Sequence, residues 1–593
     1  MLNRFTSILL ISAICLSAVA VRSATQLAGE TSAFLRTQTD SPVDWMPWGE
    51  AAFGRARSEQ KAVFLFIGTF ASELSRATAR QTFANADTAA LLNQNFICVL
   101  VDRDEHPELG ALYQTYLSEV KQVTGQPMNL WLTPELRPYE GAAYLPPTEE
   151  WGKSSFLKVA QQAREAWAND AKGCRARAQE AVAQLAPVAP AVAAAGGKTK
   201  LAAAAEAWRP RYDAAHGGFS EPPKNPEPEL LRFLLRQPGA DHASAVATLR
   251  AIATGAMHDP LDGGFFHYAT DAEWRLPYQQ KFLADQARLA LAFLDAAPTD
   301  DKKLFTGAAR GALDFALSRL AQPDGTFSAV EDATLEAFAG YYVWTAAEID
   351  EALGADAGAF KGDHGVEATG NISADADPSG RLQGKNLLRF AVRDEPGSAA
   401  AAGRLLTLRD RRPAPPRDDR ASAAAHGLLL AAFARAGTEL AEPRYLKAAE
   451  QLFGVIKQKF IAGKDGDLRH LRGSTVPAGP ADYNALALGC REFARAAHHK
   501  EADALATRLL ATSAGRFFDP AGGRYFATPA ELPPGIFVRP PAMGDAPSTE
   551  ALALMAGVPP ELAKAISAGL WPALDDANTP APGDTLLALA LLP

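Results

Sequence analysis

Cysteine is scarce in this chain. Four occur in 593 residues, which excludes a disulfide-stapled scaffold. Histidine is scarce as well, with ten scattered along the chain. The one adjacent pair, His498-His499, reads as part of a helix, where neighbouring rings point about 100° apart and cannot chelate one ion. No glycine-rich phosphate loop follows a strand, because the glycine turns lie between helices. No metal and no cofactor are therefore expected. Neither sign of charge dominates. The 59 Lys and Arg against 68 Asp and Glu leave a net charge of −9, which forces no basic surface and makes nucleic acid an unexpected partner. Beyond the first residues no apolar run is long enough to span a bilayer. Hydrophobic residues at 48% and charged residues at 21% give a globular chain, not a disordered one.

Residues 1–24 read as a signal peptide. Arg4 stands in a short positive start, and Ile8 to Val21 is almost wholly apolar. Ala18-Val19-Ala20 supplies small residues at −3 and −1. Cleavage is expected after Ala20, with Ser23 as second choice. An uncleaved anchor is the alternative. The protein is then expected to be exported, to the periplasm or outside the cell, with no membrane contact after cleavage. Removing the signal leaves Cys98, Cys174 and Cys490, which allow at most one bridge. Cys98, inside the run Phe96 to Val101, reads as a small buried apolar residue.

Two regions follow different patterns. Residues 25–185 alternate strand and helix. The expected strands are 62–67, 96–101 ending at Asp102, 129–132 between Pro127 and Pro134, and a fourth starting near 142. The expected helices are 73–93 and 107–121. This is an α/β layer with some parallel pairing. Residues 186–199, rich in Ala and Pro, read as a linker. Residues 200–593 are rich in Ala and Leu with helical spacing throughout. Their helices are separated by His216-Gly217-Gly218-Phe219, Asp262-Gly263-Gly264-Phe265-Phe266 and Gly522-Gly523-Arg524-Tyr525-Phe526, with a weaker copy at Asp324-Gly325-Thr326-Phe327. The repeated unit predicts an all-α closed toroid of helical hairpins; an open solenoid is the alternative.

The order of motifs resembles the spermatogenesis-associated thioredoxin-like family, in which a thioredoxin fold is joined to an (α/α)6 six-hairpin toroid related to glycosidases and sugar epimerases. Ser41 to Trp48 is similar to the family's N-P-V-D-W-Y-P-W, and Val101 to Pro107 to its V-D-R-E-E-R-P. Gly340 to Thr345 and Gly384-Lys385-Asn386 resemble its G-x-F-Y-V-W-T and G-K-N. The resemblance implies a C-H-W-C-H redox motif, but the register here reads Ser72-Glu73-Leu74-Ser75-Arg76. Thiol–disulfide exchange needs an attacking thiolate and a resolving thiol, and serine supplies neither. Gln126-Pro127 falls where the family has W-P and where a thioredoxin fold places a cis-proline. Ser72 reads as a helix N-cap with Ser75 on the first turn, not as a hydrolytic nucleophile, since no histidine is near in sequence.

In the toroid the resemblance implies a pocket of acids and aromatic rings. His258, Asp259, Tyr268, Asp271 and Trp274 match the family's positions, as do Lys281 and Asp285. The family's His and Glu in the second stretch are Tyr278 and Gln280 here, and glutamine cannot exchange a proton. Glu331 and Asp332 match an acidic pair. Trp344, His426 and Tyr483 complete the candidate pocket, although His426 stands where the family has asparagine. Losses at both centres lead to one reading, an exported, non-redox protein that binds a carbohydrate or peptide-like ligand in the toroid. A carbohydrate-active hydrolase or epimerase using Asp285, Glu331 and Asp332 is the alternative, and a protein-contact scaffold is the third. The serines generate a direct test: the purified protein will fail to reduce insulin disulfides, and turbidity rising at a thioredoxin-like rate would overturn the reading of positions 72 and 75.

Overall fold

The computed structural model describes residues 26–150, 152–185, 197–333, 335–377, 379–390, 398–462, 467–520, 524–542, 560–574 and 581–591. The expected signal peptide, nearly all of the expected Ala/Pro linker and the Gly522-Gly523 step lie outside these. The last two linker residues are helical, because the helix Lys198–Glu206 begins there. The chain forms two compact units. One comprises the first 185 residues without 105–112, together with 534–537, and the other comprises the remainder.

The first unit is a five-stranded sheet in the order β1-β3-β2-β4-β5. β1 (Trp45–Pro47), β3 (Ile97–Asp102) and β2 (Val63–Gly68) run parallel, while β4 (Met128–Leu132) and β5 (Pro138–Ala142) are antiparallel to the strand beside them. β2, β3 and β4 are buried along their whole length, as unbroken apolar runs such as Val63 to Ile67 require. Phe64, Phe66, Phe83, Trp131 and Phe156 fill one layer with rings about 5–6 Å apart. Two expectations need correction. The helix expected over 73–93 is broken: Glu73–Ala77 passes into a π-helical turn, Thr78–Phe83, and Asn85 then caps a new helix, Ala86–Asn95, by accepting from Thr88 N at 3.0 Å. Its side-chain oxygen offers the backbone a fresh start, which periodicity does not register. The fourth strand expected from 142 ends there, because the turn through Leu136 (φ 65°) brings Pro138 back alongside Leu132. Cys98, Cys174 and Cys490 are buried and free. Burial pushes the Cys98 thiol far up and the Cys490 thiol to about 12, so neither is a thiolate at neutral pH.

The second unit is built of helical hairpins in two layers. Pro228–Leu234, Leu283–Ala296, Ala423–Glu439 and Pro480–Ala497 are buried on most sides and form an inner layer. Ala240–Thr254, Lys302–Phe315, Pro443–Lys459 and Lys500–Phe517 bury one stripe each and lie outside. Successive inner helices pack side by side, and the late helix Gly583–Leu591 packs on the early helix Pro228–Leu234. The array therefore closes, as expected of the toroid and not of an open solenoid. Three short antiparallel strands, β6 (Gln280–Phe282), β7 (Val330–Asp332) and β8 (Arg417–Asp418), stand at the N-terminal end of the inner helix Leu283–Ala296. They are too short for a period to announce them. His498 is not helical: it closes Pro480–Ala497 in a left-handed conformation, and His499 caps the next helix by accepting from Ala502 N at 3.2 Å. The two rings belong to a turn between helices. No group of three or more metal-ligating side chains occurs among the described residues, and no described helix is long and apolar enough to cross a membrane.

Backbone contact holds the inner layer. A Cβ on Gly427 would overlap the carbonyl of Ala485, and one on Gly489 would overlap the carbonyl of Gly427. Only hydrogen fits at this crossing. Gly427→Ala and Gly489→Ala are expected to destabilise the protein by about 1–3 kcal/mol through overpacking, despite alanine's better helix propensity. Gly515→Ala, in an outer helix with nothing within 4 Å, is expected to gain about 0.5–1 kcal/mol. Melting curves of the three variants check the contrast.

Candidate functional site

In the first unit the residues at the redox register are occupied structurally. Ser72 Oγ accepts from Ser75 N at 3.2 Å and caps the helix, as expected. Ser75 is fully buried, and its Oγ accepts from Thr69 N at 3.4 Å. The Gln126–Pro127 peptide is cis. Around them, Ser32 Oγ donates to buried Asp102 at 2.6 Å and the Thr69 hydroxyl donates to Asp104.

In the second unit, strand alternation sorts the candidate acids. Lys281 pairs with Glu331 across β6 and β7, and Gln280 with Asp332, so the two pairs face opposite ways. On the Gln280 side, Nε2 donates to Asp332 Oδ1 at 2.8 Å. On the Lys281 side lies a buried charge cluster. Lys281 Nζ donates to Asp259 at 2.9 Å and Asp262 at 3.3 Å, and sits 4.6–4.7 Å from the ring centres of Phe266, Phe315 and Tyr342. Arg409 pairs with Asp259 at 2.8 Å and Asp262 at 2.6 Å. Burial pushes the Asp259 carboxyl up, but Arg409 and Lys281 outweigh it and hold it well below the carboxylate range. Glu331 accepts from the Tyr342 hydroxyl, and burial raises its pKa, against the pull of Lys281. Beside this cluster Ala256, Pro260, Phe266, Tyr342, Leu387 and Leu388, with Asp259 and Arg409 of the cluster itself, line a partly open cavity of about 10 Å³. That volume holds about one water and no sugar ring.

A second group lies at the N-termini of the inner helices, the end we call the mouth. Asp285, in the first turn of Leu283–Ala296, meets His267 Nδ1 at 2.6 Å and Arg288 at 3.9 Å. Arg288 in turn pairs with Glu229, in the first turn of the neighbouring inner helix, at 2.6 Å. The His267 side chain keeps 38% of its exposure. Tyr268 stacks on Tyr278 at 4.7 Å with planes 9° apart, and both rings remain partly accessible. Asp271 accepts from Arg275 N in the same hairpin.

The other candidate residues belong to the framework. His258 lies between Phe265 and Phe390, stacked at 4.3 and 4.1 Å. His426 Nδ1 meets Ser422 O at 2.7 Å and its Nε2 accepts from Phe327 N at 3.0 Å. Trp274 is buried against Gly218, whose φ of 96° leaves no room for a Cβ, and donates to His216 O at 3.1 Å. Trp344 is buried under the Arg412 guanidinium, 3.8 Å from the ring centre. Buried Tyr483 accepts from Leu468 N and meets Arg516, both at 3.2 Å. The structure thus brings Asp259, Lys281 and Glu331 together in the buried cluster and places Tyr268 and Asp285 at the mouth. Sequence reasoning did not single out Arg409, Asp262, Tyr342, His267, Arg288 or Glu229. Asp262, His267 and Tyr342 sat inside or beside the quoted motifs; Arg409, Arg288 and Glu229 gave no local signal.

A sheet of this order followed by a closed array of helical hairpins defines a thioredoxin-like domain joined to an all-α toroid. A thioredoxin-like DsbH family, described as a protein of unknown function, DUF255, matches residues 24–186. Spermatogenesis-associated protein 20 of Mus musculus is 30% identical over 570 residues, 86% of this chain and 72% of that protein. Its Homo sapiens counterpart is 30% identical over 572 residues, 87% and 72% of the two chains. The chain belongs to the spermatogenesis-associated protein 20 family. Among solved structures, the cellobiose 2-epimerase from Spirochaeta thermophila is similar over 65% of this chain and 86% of its own, at 14% identity and a TM-score of 0.40.

Burial lowers both His258 and His426 to about 4, so both are neutral at pH 7. Their folded pKa lies below the unfolded value near 6.5, so the unfolded chain takes up protons first. The stability they contribute is complete above about pH 6.5 and is lost as pH falls through 4, on the order of 3 kcal/mol for each. His258→Phe keeps the ring stack and removes one of the two titrations. Melting temperatures measured from pH 7 to pH 4 should fall less steeply in this variant, and an unchanged slope would refute the assignment.

Proposed function

We propose that this is an exported binding protein without dithiol redox activity, whose toroid mouth takes a carbohydrate ligand. One observation carries the reading. At the mouth, the stacked rings of Tyr268 and Tyr278 stand beside the hydrogen-bonding pair His267–Asp285. A flat aromatic face with a few fixed polar groups is the chemistry that recognises a sugar ring. Binding without turnover is favoured by the state of the acids. A glycosidase needs two carboxylates across one substrate, about 5–10 Å apart. Here Asp285 is engaged by His267 and Arg288, and Glu331 is engaged by Tyr342 beside a cavity too small for a sugar.

A carbohydrate-active enzyme is the second reading, favoured by the raised carboxyl of Glu331, which suits a general acid. A thermal-shift screen against mono- and oligosaccharides separates the two. A sugar present at about a hundred times its Kd stabilises the fold by about 2.7 kcal/mol. The expected outcome is such a shift with the sugar recovered unchanged, and about tenfold weaker binding, or about 1.4 kcal/mol, in Tyr268→Ala. Conversion of the sugar would favour the enzyme. A flat response across the panel would overturn the carbohydrate site and favour a protein ligand.

A further inference from the structure

The Arg409 side chain is 1% exposed, yet its guanidinium is not fully paired. Nη1 donates to Asp259 at 2.8 Å, and Nη2 stands 2.6 Å from Asp262. Nε has no hydrogen-bond partner among the described residues. The ring centres of Tyr341 and Tyr342 lie 5.2 and 5.3 Å from the group. A ring face at that distance steadies the charge but is no substitute for an acceptor at Nε. A charged donor taken from water without an acceptor is costly.

The cavity of about 10 Å³ beside the charge cluster is where an acceptor can sit. Arg409 and Asp259 give it a polar wall, and Phe266, Leu387 and Leu388 are on the apolar side. The volume suits one particle about the size of a water, and no phosphate or carboxylate group. The Tyr342 hydroxyl, on the same wall, is committed to Glu331.

The charges around the cavity favour an anion over a water. Lys281 and Arg409 each reach both Asp259 and Asp262, and Arg319 reaches Asp262 at 3.2 Å. Arg319 also meets Asp410 at 2.7 Å, but that carboxylate is 43% exposed and largely answered by water. Glu331 stands opposite Lys281 across β6 and β7, and burial disfavours its charge. Three cations therefore converge on the two buried carboxylates of Asp259 and Asp262. A monatomic anion of modest hydration suits one directed N–H in a mostly apolar wall, because a smaller and more strongly hydrated ion loses more on leaving water.

We propose that the cavity beside Arg409 is a chloride site, in which one ion accepts from Nε against Phe266, Leu387 and Leu388. None of the lining residues belongs to the mouth group, so the site stands whether or not a sugar binds there.

The test melts the full chain in sodium fluoride, chloride, bromide and iodide, each replacing sodium methanesulfonate at constant ionic strength. Binding to the folded state alone raises the melting temperature and saturates. The rise is expected to be largest for chloride, smaller for bromide, and absent for fluoride and iodide. A general salt effect instead runs monotonically through the four halides without saturating. Chloride affinity should fall at least about tenfold in Arg409→Lys, which keeps a cation beside Asp259 and Asp262 but removes Nε. Leu388→Phe fills the cavity and alters no charge. It should abolish the chloride response, and it tests the site independently if Arg409→Lys does not fold. In crystals grown from sodium bromide, the anomalous signal is expected beside Arg409 Nε. A monotonic halide series, a chloride response that survives Leu388→Phe, or bromide bound only elsewhere overturns the site and leaves the cavity to a water.

Discussion

The toroid depends on Asp259. Its carboxylate holds Lys281 from 22 residues away in sequence and Arg409 from 150 residues away, both fully buried. Three separate segments meet on one group. Removing it would leave two cations in a low-dielectric interior with only Asp262 between them, and an unpaired buried charge costs far more than a well-made pair contributes. The arrangement fixes which segments stand beside one another more than it adds net stability. Around it the ring contacts follow: Lys281 is enclosed by three aromatic faces, Tyr342 reaches Glu331, and Leu387 and Leu388 line the small cavity beside them.

That cluster also separates structure from chemistry among the candidate residues. His258, Asp259 and Lys281 occupy positions shared with the family, yet here they are walled in: His258 is neutral and the Lys281 charge is set against that of Asp259. Tyr268 and Asp285 keep partial access at the mouth. A shared motif position therefore marks two kinds of residue in this toroid, those that hold the loops and those that face what enters. Burial decides between them, and burial is a property of the fold, not of the motif.

The parts of the fold that were legible in the sequence are those governed by short-range rules. Val63 to Ile67 could only be a buried strand, and Ser72 before Glu73 could only be a cap once no thiol or base stood near. The helical character of the second unit followed from spacing, though not the bounds of every helix. What escaped was set by side chains acting over distance or against the local pattern. Asn85 restarts a helix that periodicity would carry through. β6, β7 and β8 exist because three chain segments meet, not because any of them prefers to be extended. Arg409 joins the charge cluster from a helix with no functional signature.

The departures from the family pattern are not independent. The family's glutamate at position 280 would point a second carboxylate at Asp332 across the β6–β7 pair, where Gln280 instead donates a hydrogen bond. The family's histidine at 278 would offer a smaller, polar ring where Tyr278 lies flat against Tyr268. Loss of a titratable pair and gain of a stacked aromatic face thus occur two residues apart, on the hairpin that reaches the mouth. In the other unit, Ser72 and Ser75 replace the thiols with one cap and one buried hydroxyl, and the helix start is intact. At both centres the substitutions remove proton- or electron-transfer groups while the local geometry remains satisfied. A chain losing function by random drift would leave unpaired buried groups at these positions, each costing about 1–3 kcal/mol. Ser75 and Gln280 leave none there: the Ser75 hydroxyl accepts from Thr69 N and the Gln280 amide donates to Asp332.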